Sequence, residues 1–360
     1  MSHRIARAQE SLIRNEIDAL IVTPSADLRY FTNYDAIPLE RLTALVVPAK
    51  ADPFLIVPEL EVAAATAAGI NLPIVAWSET DDPYSILASK LSTAQRVAVD
   101  DHMWAARVFA LTEALPSVQL QAGGALISSL RMYKSEPEIE ALTHAGEAID
   151  RVHERMGEWL RAGRTEREVG ADIAAAILAE GHERVDFVIV ASGPNGASPH
   201  HEVSDRVIEP GDPVVVDIGG TNAAGYCSDS TRTYVVGTNP DPQFLELYAV
   251  LLAAQKAQCE AARPGLTAAE LDAVGRDVIE AAGFGELFIH RTGHGIGLET
   301  HEEPYIVAGN NRVLEPAMAF SIEPGIYLPG RFGARIEDIV VCTTDGARRL
   351  NTTTRELRSL

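Results

Sequence analysis

Four carboxylates stand where strands could bring them to one point. Asp217 ends the apolar run Pro-Val-Val-Val and is followed by Gly219-Gly220, and Asp229 leads into Thr-Arg-Thr-Tyr-Val-Val. Glu323 precedes Pro324, and a residue before proline is held extended. Glu337 alternates with Arg335 along Arg-Ile-Glu, which predicts one strand with both side chains on the same face. Four such acids in one buried cleft would repel one another, and protons would be forced onto some of them. Divalent cations remove that penalty, and the acids therefore predict a pair of metal ions. A carboxylate-rich set with one imidazole suits manganese first, with cobalt or zinc as alternatives.

The imidazole has a candidate in the run His290-Arg-Thr-Gly-His294-Gly-Ile-Gly-Leu-Glu-Thr-His301. Glycines on both sides of His294 allow close backbone approach there. His301 is too far along from His294 for one helical or strand repeat, so it must come from a loop.

The elements that would position these residues repeat. Ser135-Glu136-Pro137-Glu138 opens a helix expected to reach Leu160. Gly163, Thr165 and Gly181 match Gly265, Thr267 and Gly283 at a constant shift of 102 residues. Val-Ile-Glu-Pro210 matches Val-Leu-Glu-Pro316 at a shift of 106, which also carries Asp217 onto Glu323; two further inserted residues carry Asp229 onto Glu337. Two half-domains about a pseudo-twofold axis would place two acids each at one centre. Strands are expected at 185–190, 213–219, 231–236, 317–322 and 335–341.

The first third alternates strands and helices. An amphipathic helix with Ile5, Leu12 and Ile13 on its apolar side precedes a strand at 18–23. Further strands are expected at 42–48, 53–58 and 96–100, and helices at 59–68, 83–91 and 104–115. Residues 116–129, with Gly123-Gly124 and serines, read as a boundary. The domain limits are set at 1–125 and 133–360.

Composition narrows the function class. The net charge is 30 − 51 = −21. An acidic surface argues against nucleic acid and anionic membrane as partners. No apolar run reaches the roughly 20 residues of a membrane span. Cys227, Cys259 and Cys342 form no CxxC pair and read as reduced thiols. A cytoplasmic location is the expectation.

At this point the chain resembles a known family. Val-Val-Val-Asp217-Ile-Gly, Ser-Asp229-Ser-Thr-Arg-Thr, Thr-Gly-His294-Gly-Ile-Gly, Ile-Glu323-Pro-Gly and Arg335-Ile-Glu337-Asp stand in the order of the pita-bread metallopeptidases. The likeness is to their proline-directed branch, prolidases and aminopeptidases P. Ile17-Asp-Ala-Leu and Leu28-Arg-Tyr-Phe-Thr32 resemble the creatinase/prolidase N-terminal domain. The resemblance implies an α/β N-terminal domain, an α+β pita-bread catalytic domain, and hydrolysis of the X–Pro bond of short peptides by a bridging hydroxide on two metal ions. It implies Asp217, Asp229, His294, Glu323 and Glu337 as metal ligands, with Glu323 also moving a proton. It gives His200, His290, His301 and Arg335 catalytic roles, and places His200, His301, Tyr327 and Arg335 against substrate. His201, adjacent to His200, competes with it for that position. A homodimer paired through the N-terminal domain is also implied. Asp217 and Asp229 are one residue further apart than in the best-known members, with the extra residue assigned to a turn at Thr221–Gly225. Tyr305 stands where dipeptidases of the family often carry an arginine for the free carboxylate of a dipeptide. Longer peptides therefore stay open as substrates, with Arg335 or Arg312 as the next candidates for a carboxylate contact. The rival readings are a creatinase-like amidinohydrolase and a non-catalytic binding module on the same fold.

Overall fold

The computed structural model describes residues 2–360, which form two compact units, 2–131 and 132–360. The first contains α1 (Ser2–Arg14), β1 (Ala19–Val22), α2 (Ala26–Thr32), β2 (Ala44–Pro48), β3 (Phe54–Pro58), α3 (Val62–Ala67), β4 (Ile74–Trp77), α4 (Pro83–Lys90), β5 (Arg96–Val99), α5 (Ala105–Ala114), β6 (Gln119–Ala122) and α6 (Gly124–Arg131). Its six strands form one sheet in the order β4-β3-β2-β1-β5-β6. The β1–β2 and β2–β3 pairs are antiparallel and the others parallel. Ile21, Val46, Ile56 and Val97 pack on Leu87 of α4 and Leu111 of α5. Ile5 and Leu12 are buried as expected, but Ile13 is exposed, so the apolar stripe of α1 is narrower than its composition suggests. The stretch read as a boundary folds as β6 and α6. The Gly124 amide is held by the Asp101 carboxylate at 3.0 Å, a contact no local pattern announces.

The second unit contains α7 (Glu136–Glu154), α8 (Glu166–Ala179), β7 (His182–Ser192), β8 (Pro213–Asn222), β9 (Ser230–Val235), α9 (Pro242–Ala261), α10 (Ala268–Ala281), β10 (Gly293–Gly295), β11 (Glu302–Ile306), β12 (Ala319–Ile322), β13 (Gly325–Leu328), β14 (Phe332–Arg335), β15 (Asp338–Cys342), β16 (Ala347–Arg349) and β17 (Arg358–Ser359). Helix α7 stops at Glu154, short of the expected Leu160, and a 3-10 turn follows at Met156–Glu158. Two sheets, β17-β9-β8-β7 and β11-β10-β12-β15-β16, accompany the β13–β14 hairpin.

The internal repeat is visible in hydrogen bonds. Thr165 and Thr267 each open a helix with a capping box, closed by Glu168 and Glu270. Gly163 N–H donates to Ile208 O and Gly265 N–H to Leu314 O, both at 2.9 Å. Thr165 bridges Val207 as Thr267 bridges Val313. The same caps and tethers thus anchor α8 to the loop before β8 and α10 to the loop before β12.

Strand alternation then aims the acids. Val214, Val216 and Ile218 pack against Ile149 and Val152 of α7 and Ile173 and Ile177 of α8, so Asp217 faces the opposite side. Phe320 and Ile322 pack against Leu271 of α10, which turns Ser321 and Glu323 the other way. The halves are joined at their inner strands. Glu337 N–H donates to Thr231 O at 3.1 Å, and buried Arg232 pairs with buried Asp338 at 2.7 Å.

The run 335–341 is not one strand. Arg335 ends β14, paired with β13, while Asp338 begins β15, paired with β12. The change of partner breaks the ladder at Ile336–Glu337. Arg335 and Glu337 still reach one cavity, but not by strand alternation.

Candidate metal centre and substrate cavity

Asp229, His294 and Glu337, all buried, offer ligand atoms within 4.8 Å of one another. His294 Nε2 lies 3.1 Å from Glu323 Oε1 and 3.6 Å from Asp229 Oδ2. Asp217 comes from the neighbouring strand, where it is in register with Thr231. The structure thus gathers all five residues expected as ligands on the wall of one cavity of about 860 Å³.

Two residues missed by the sequence reading steady this group. Thr231 Oγ1 donates to Glu337 Oε2 at 2.8 Å, and Ser321 Oγ donates to Glu323 Oε1 at 3.1 Å while accepting the His294 amide at 3.0 Å. Each lies two residues from an acid, Thr231 after Asp229 and Ser321 before Glu323, so strand alternation was the signal that could have found them. Gly293 and Gly295 allow β10 to pass close to its neighbours. A Cβ at Gly293 would stand 2.0 Å from Ser321 O, and one at Gly295 2.2 Å from Glu303 O. Between Asp217 and Asp229 the chain reverses in a turn at 222–225, closed by Gly225 N–H to Asn222 O at 2.8 Å with Gly225 at φ 89°.

The chain does not neutralise this cluster by itself. Asp217 Oδ1 and Glu337 Oε1 are buried with no hydrogen-bond partner. Burial, then repulsion from Glu337, Asp217 and Glu323, raises Asp229 far above the usual carboxylate range. Glu337 is raised by burial, then by Glu323 and Asp217. Glu323 moves the other way. Burial opposes its ionisation, but the hydrogen bond and charge of His294, with His290 and Arg335, bring it down to about 2. His294 Nδ1 lies 3.1 Å from the Gly295 carbonyl, and donation there leaves Nε2 as the ligand atom. Orphaned carboxylate oxygens, like-charge repulsion and an oriented imidazole fit divalent cations.

The remaining predicted residues divide into two groups. Arg335 spends four of its five N–H donors within the chain. Its Nη2 donates to Asp217 Oδ2 at 2.5 Å, Nη1 to Tyr327 Oη at 2.8 Å and Pro199 O at 3.2 Å, and Nε to Thr231 Oγ1 at 3.2 Å. Tyr327 Oη also meets His290 Nε2 at 2.9 Å, and His290 Nδ1 meets Arg291 O at 2.7 Å. Burial pushes the Tyr327 hydroxyl up to about 12 and lowers His290. These three residues form a chain that holds Asp217 in place. His200 and His301, by contrast, are exposed on the cavity wall. His301 stands edge-on to His294, ring centroids 4.1 Å apart. Partial burial of the ring, then the charges of His294 and Arg291, depress it to about 4. His201 is bound at 2.8 Å to buried Glu166, which separates its role from that of His200.

Residues 140–344 match Metallopeptidase family M24 and residues 4–133 match the Creatinase/Prolidase N-terminal domain. The chain is 52% identical to a probable dipeptidase PepE of Mycobacterium tuberculosis, over 99% of this chain and 96% of the other. It is 39% identical to an Xaa-Pro dipeptidase of Lactobacillus delbrueckii subsp. lactis, over 98% of each. Among solved structures, dipeptidase PepE from Mycobacterium ulcerans superposes with a TM-score of 0.94 at 50% identity, covering 99% of this chain and 97% of that one. A recombinant prolidase from Thermococcus sibiricus gives 0.93 at 38%, covering 100% and 99%. With its repeated caps, its paired acids and these likenesses along nearly its whole length, the chain belongs to metallopeptidase family M24, behind a creatinase/prolidase N-terminal domain.

Proposed function

We propose that this metallopeptidase hydrolyses the X–Pro bond of short peptides, dipeptides first, and releases the N-terminal residue. The observation that carries the reading is the buried, uncompensated acid cluster beside His294 on the wall of a peptide-sized cavity. The names of the relatives, dipeptidase and Xaa-Pro dipeptidase, support the substrate class.

Asp217, Asp229, His294, Glu323 and Glu337 are assigned as ligands of two divalent cations, manganese first because four of the five are carboxylates. Such a pair supplies Lewis acidity toward the scissile carbonyl and lowers the pKa of water. The chain's own residues do the rest. Glu323, ionised down to about 2, is available at neutral pH to take a proton from the attacking water and pass it to the leaving proline nitrogen. His301 and His200 face the cavity and are assigned to the tetrahedral oxyanion and the peptide backbone. An X–Pro bond has no N–H, so strand-like pairing cannot select it, and side-chain donors must. Arg335, Tyr327 and His290 are assigned to positioning Asp217, a change from the substrate contact expected of Arg335 and Tyr327 and from the catalytic role expected of His290.

No helix among the described residues is long and apolar enough to cross a membrane. A cytoplasmic location is proposed from the three unpaired cysteines. A homodimer is proposed with the N-terminal unit, to which none of the cavity-lining residues belongs, as the pairing element. The test is release of alanine from Ala-Pro and Ala-Pro-Ala by protein loaded with manganese. Turnover of Ala-Pro is expected. Protein carrying two metals per chain that cleaves neither peptide would overturn the reading.

A further inference from the structure

Three arginines line the cavity, and two of them already hold carboxylates of the chain. Arg335 holds Asp217, and Arg167 donates to Asp205 at 2.7 Å. Arg291 makes no ion pair among the described residues. Its guanidinium lies over the Tyr305 ring, 4.4 Å from the centroid. A half-buried cation without a counter-ion is poised for an anionic ligand.

The arginine is also held in place. On one side Arg276 donates to His290 O at 2.9 Å, and on the other Thr292 N–H donates to Ile306 O at 2.9 Å and to Asp272 Oδ1 at 3.1 Å. The backbone is thus pinned on both flanks, and the aromatic face limits where the guanidinium can go. Little freedom remains to be lost on binding. Of the other candidates for a carboxylate contact, Arg335 already spends four of its five N–H donors within the chain and is paired with Asp217, and Arg312 is exposed and lies outside the cavity lining.

We propose that Arg291, oriented by Tyr305, binds the free carboxylate of the C-terminal proline and makes this enzyme selective for dipeptides. The inference rests on the X–Pro hydrolysis proposed above. In an X–Pro dipeptide the carboxylate lies one residue beyond the scissile bond, and the guanidinium fork matches its two oxygens. Tyr305 therefore does not open the site to longer peptides. It is the support on which an arginine from the neighbouring segment rests.

The test compares Ala-Pro with Ala-Pro-amide, which keeps the scissile bond and lacks the anion, using the manganese-loaded enzyme. The wild type is expected to favour the acid by at least about tenfold in kcat/KM. Arg291→Gln is expected to lower that preference by about 10–100-fold, mainly through KM for the acid. Arg291→Lys keeps the charge but not the fork, and is expected to lose several-fold; it decides the matter, with the wild-type preference, if the Gln variant does not fold. A parallel loss on both substrates would assign Arg291 a structural role and overturn the inference. An unchanged preference, or a wild type that treats acid and amide alike, would also overturn it and leave X–Pro hydrolysis standing. A wild type that cleaves neither substrate would overturn the functional reading and this inference with it.

Discussion

Among the described residues two clusters have the residue types of a metal site, and only one of the two is left electrostatically open. In the N-terminal unit Asp27, Asp100 and His102 bring ligand atoms within 4.8 Å of one another, as Asp229, His294 and Glu337 do in the second. The first cluster is satisfied by protein. Arg131 holds Asp27 at 2.6 Å, Thr23 donates twice to Asp100 Oδ2, and the His102 amide donates to Oδ1 at 3.0 Å. The second contains two buried carboxylate oxygens with no partner and two acids raised by burial and then by repulsion from neighbouring carboxylates. Compensation distinguishes a structural acid cluster from a cation site, and residue type alone does not.

The largest effect should come from the open cluster. Glu337→Gln removes one charge with little change of shape. It should abolish metal binding and X–Pro turnover together, while the metal-free protein melts at or above the wild-type temperature because a repelling charge has gone. Elemental analysis, kinetics and thermal melting of one preparation would check this; a variant that keeps both metal and turnover would break the comparison. The satisfied cluster should respond in reverse. Asp27→Asn breaks the buried pair with Arg131 and should lower stability by up to about 3–5 kcal/mol, with metal content per folded chain unchanged. Denaturant unfolding beside metal analysis measures both.

A third substitution sharpens the contrast inside the cavity. His301→Ala should lower kcat by about 10²–10³-fold and leave metal content intact, because an imidazole at the oxyanion or leaving nitrogen acts mainly in the transition state. Loss of metal in that variant would move His301 into the ligand set.

The smallest effect concerns Glu166, another satisfied acid. Burial opposes its ionisation, yet Ser192, Ser204 and Asn195 bring it down to about 2. Its folded pKa lies below the ordinary 4.5, so the unfolded chain binds the proton more readily. The stability it contributes is present above about pH 4.5 and is lost as pH falls toward about 2, worth at most about 2–3 kcal/mol. Glu166→Gln should flatten the acid limb of the stability profile across that window. An unchanged limb would show that the carboxylate is not ionised in the fold.

How much of this was legible in the sequence depended on how local the cause was. The repeat was legible because Gly163 and Gly265 sit at φ 87° and 88° and Thr165 and Thr267 cap helices, demands that a short string records. The acids were legible because apolar runs fix which face they take. Helix α6 was not, since its start is held by Asp101 from a distant turn and its Gly-Gly and serines look like a loop. The break at Ile336–Glu337 was hidden because strand partners change there, a tertiary event. The division of labour among Arg335, Tyr327 and Arg291 was hidden for the same reason. Three polar residues of similar character differ only in which partner each meets.

The central claim is that the uncompensated cluster holds two divalent cations and that X–Pro hydrolysis depends on them. The most direct measurement is Ala-Pro turnover by chelator-stripped protein titrated with manganese under tight-binding conditions. The account predicts negligible turnover at the start and a plateau at two equivalents per chain, with Glu337→Gln inactive throughout. Full turnover by the stripped protein, before any metal is added, would contradict it.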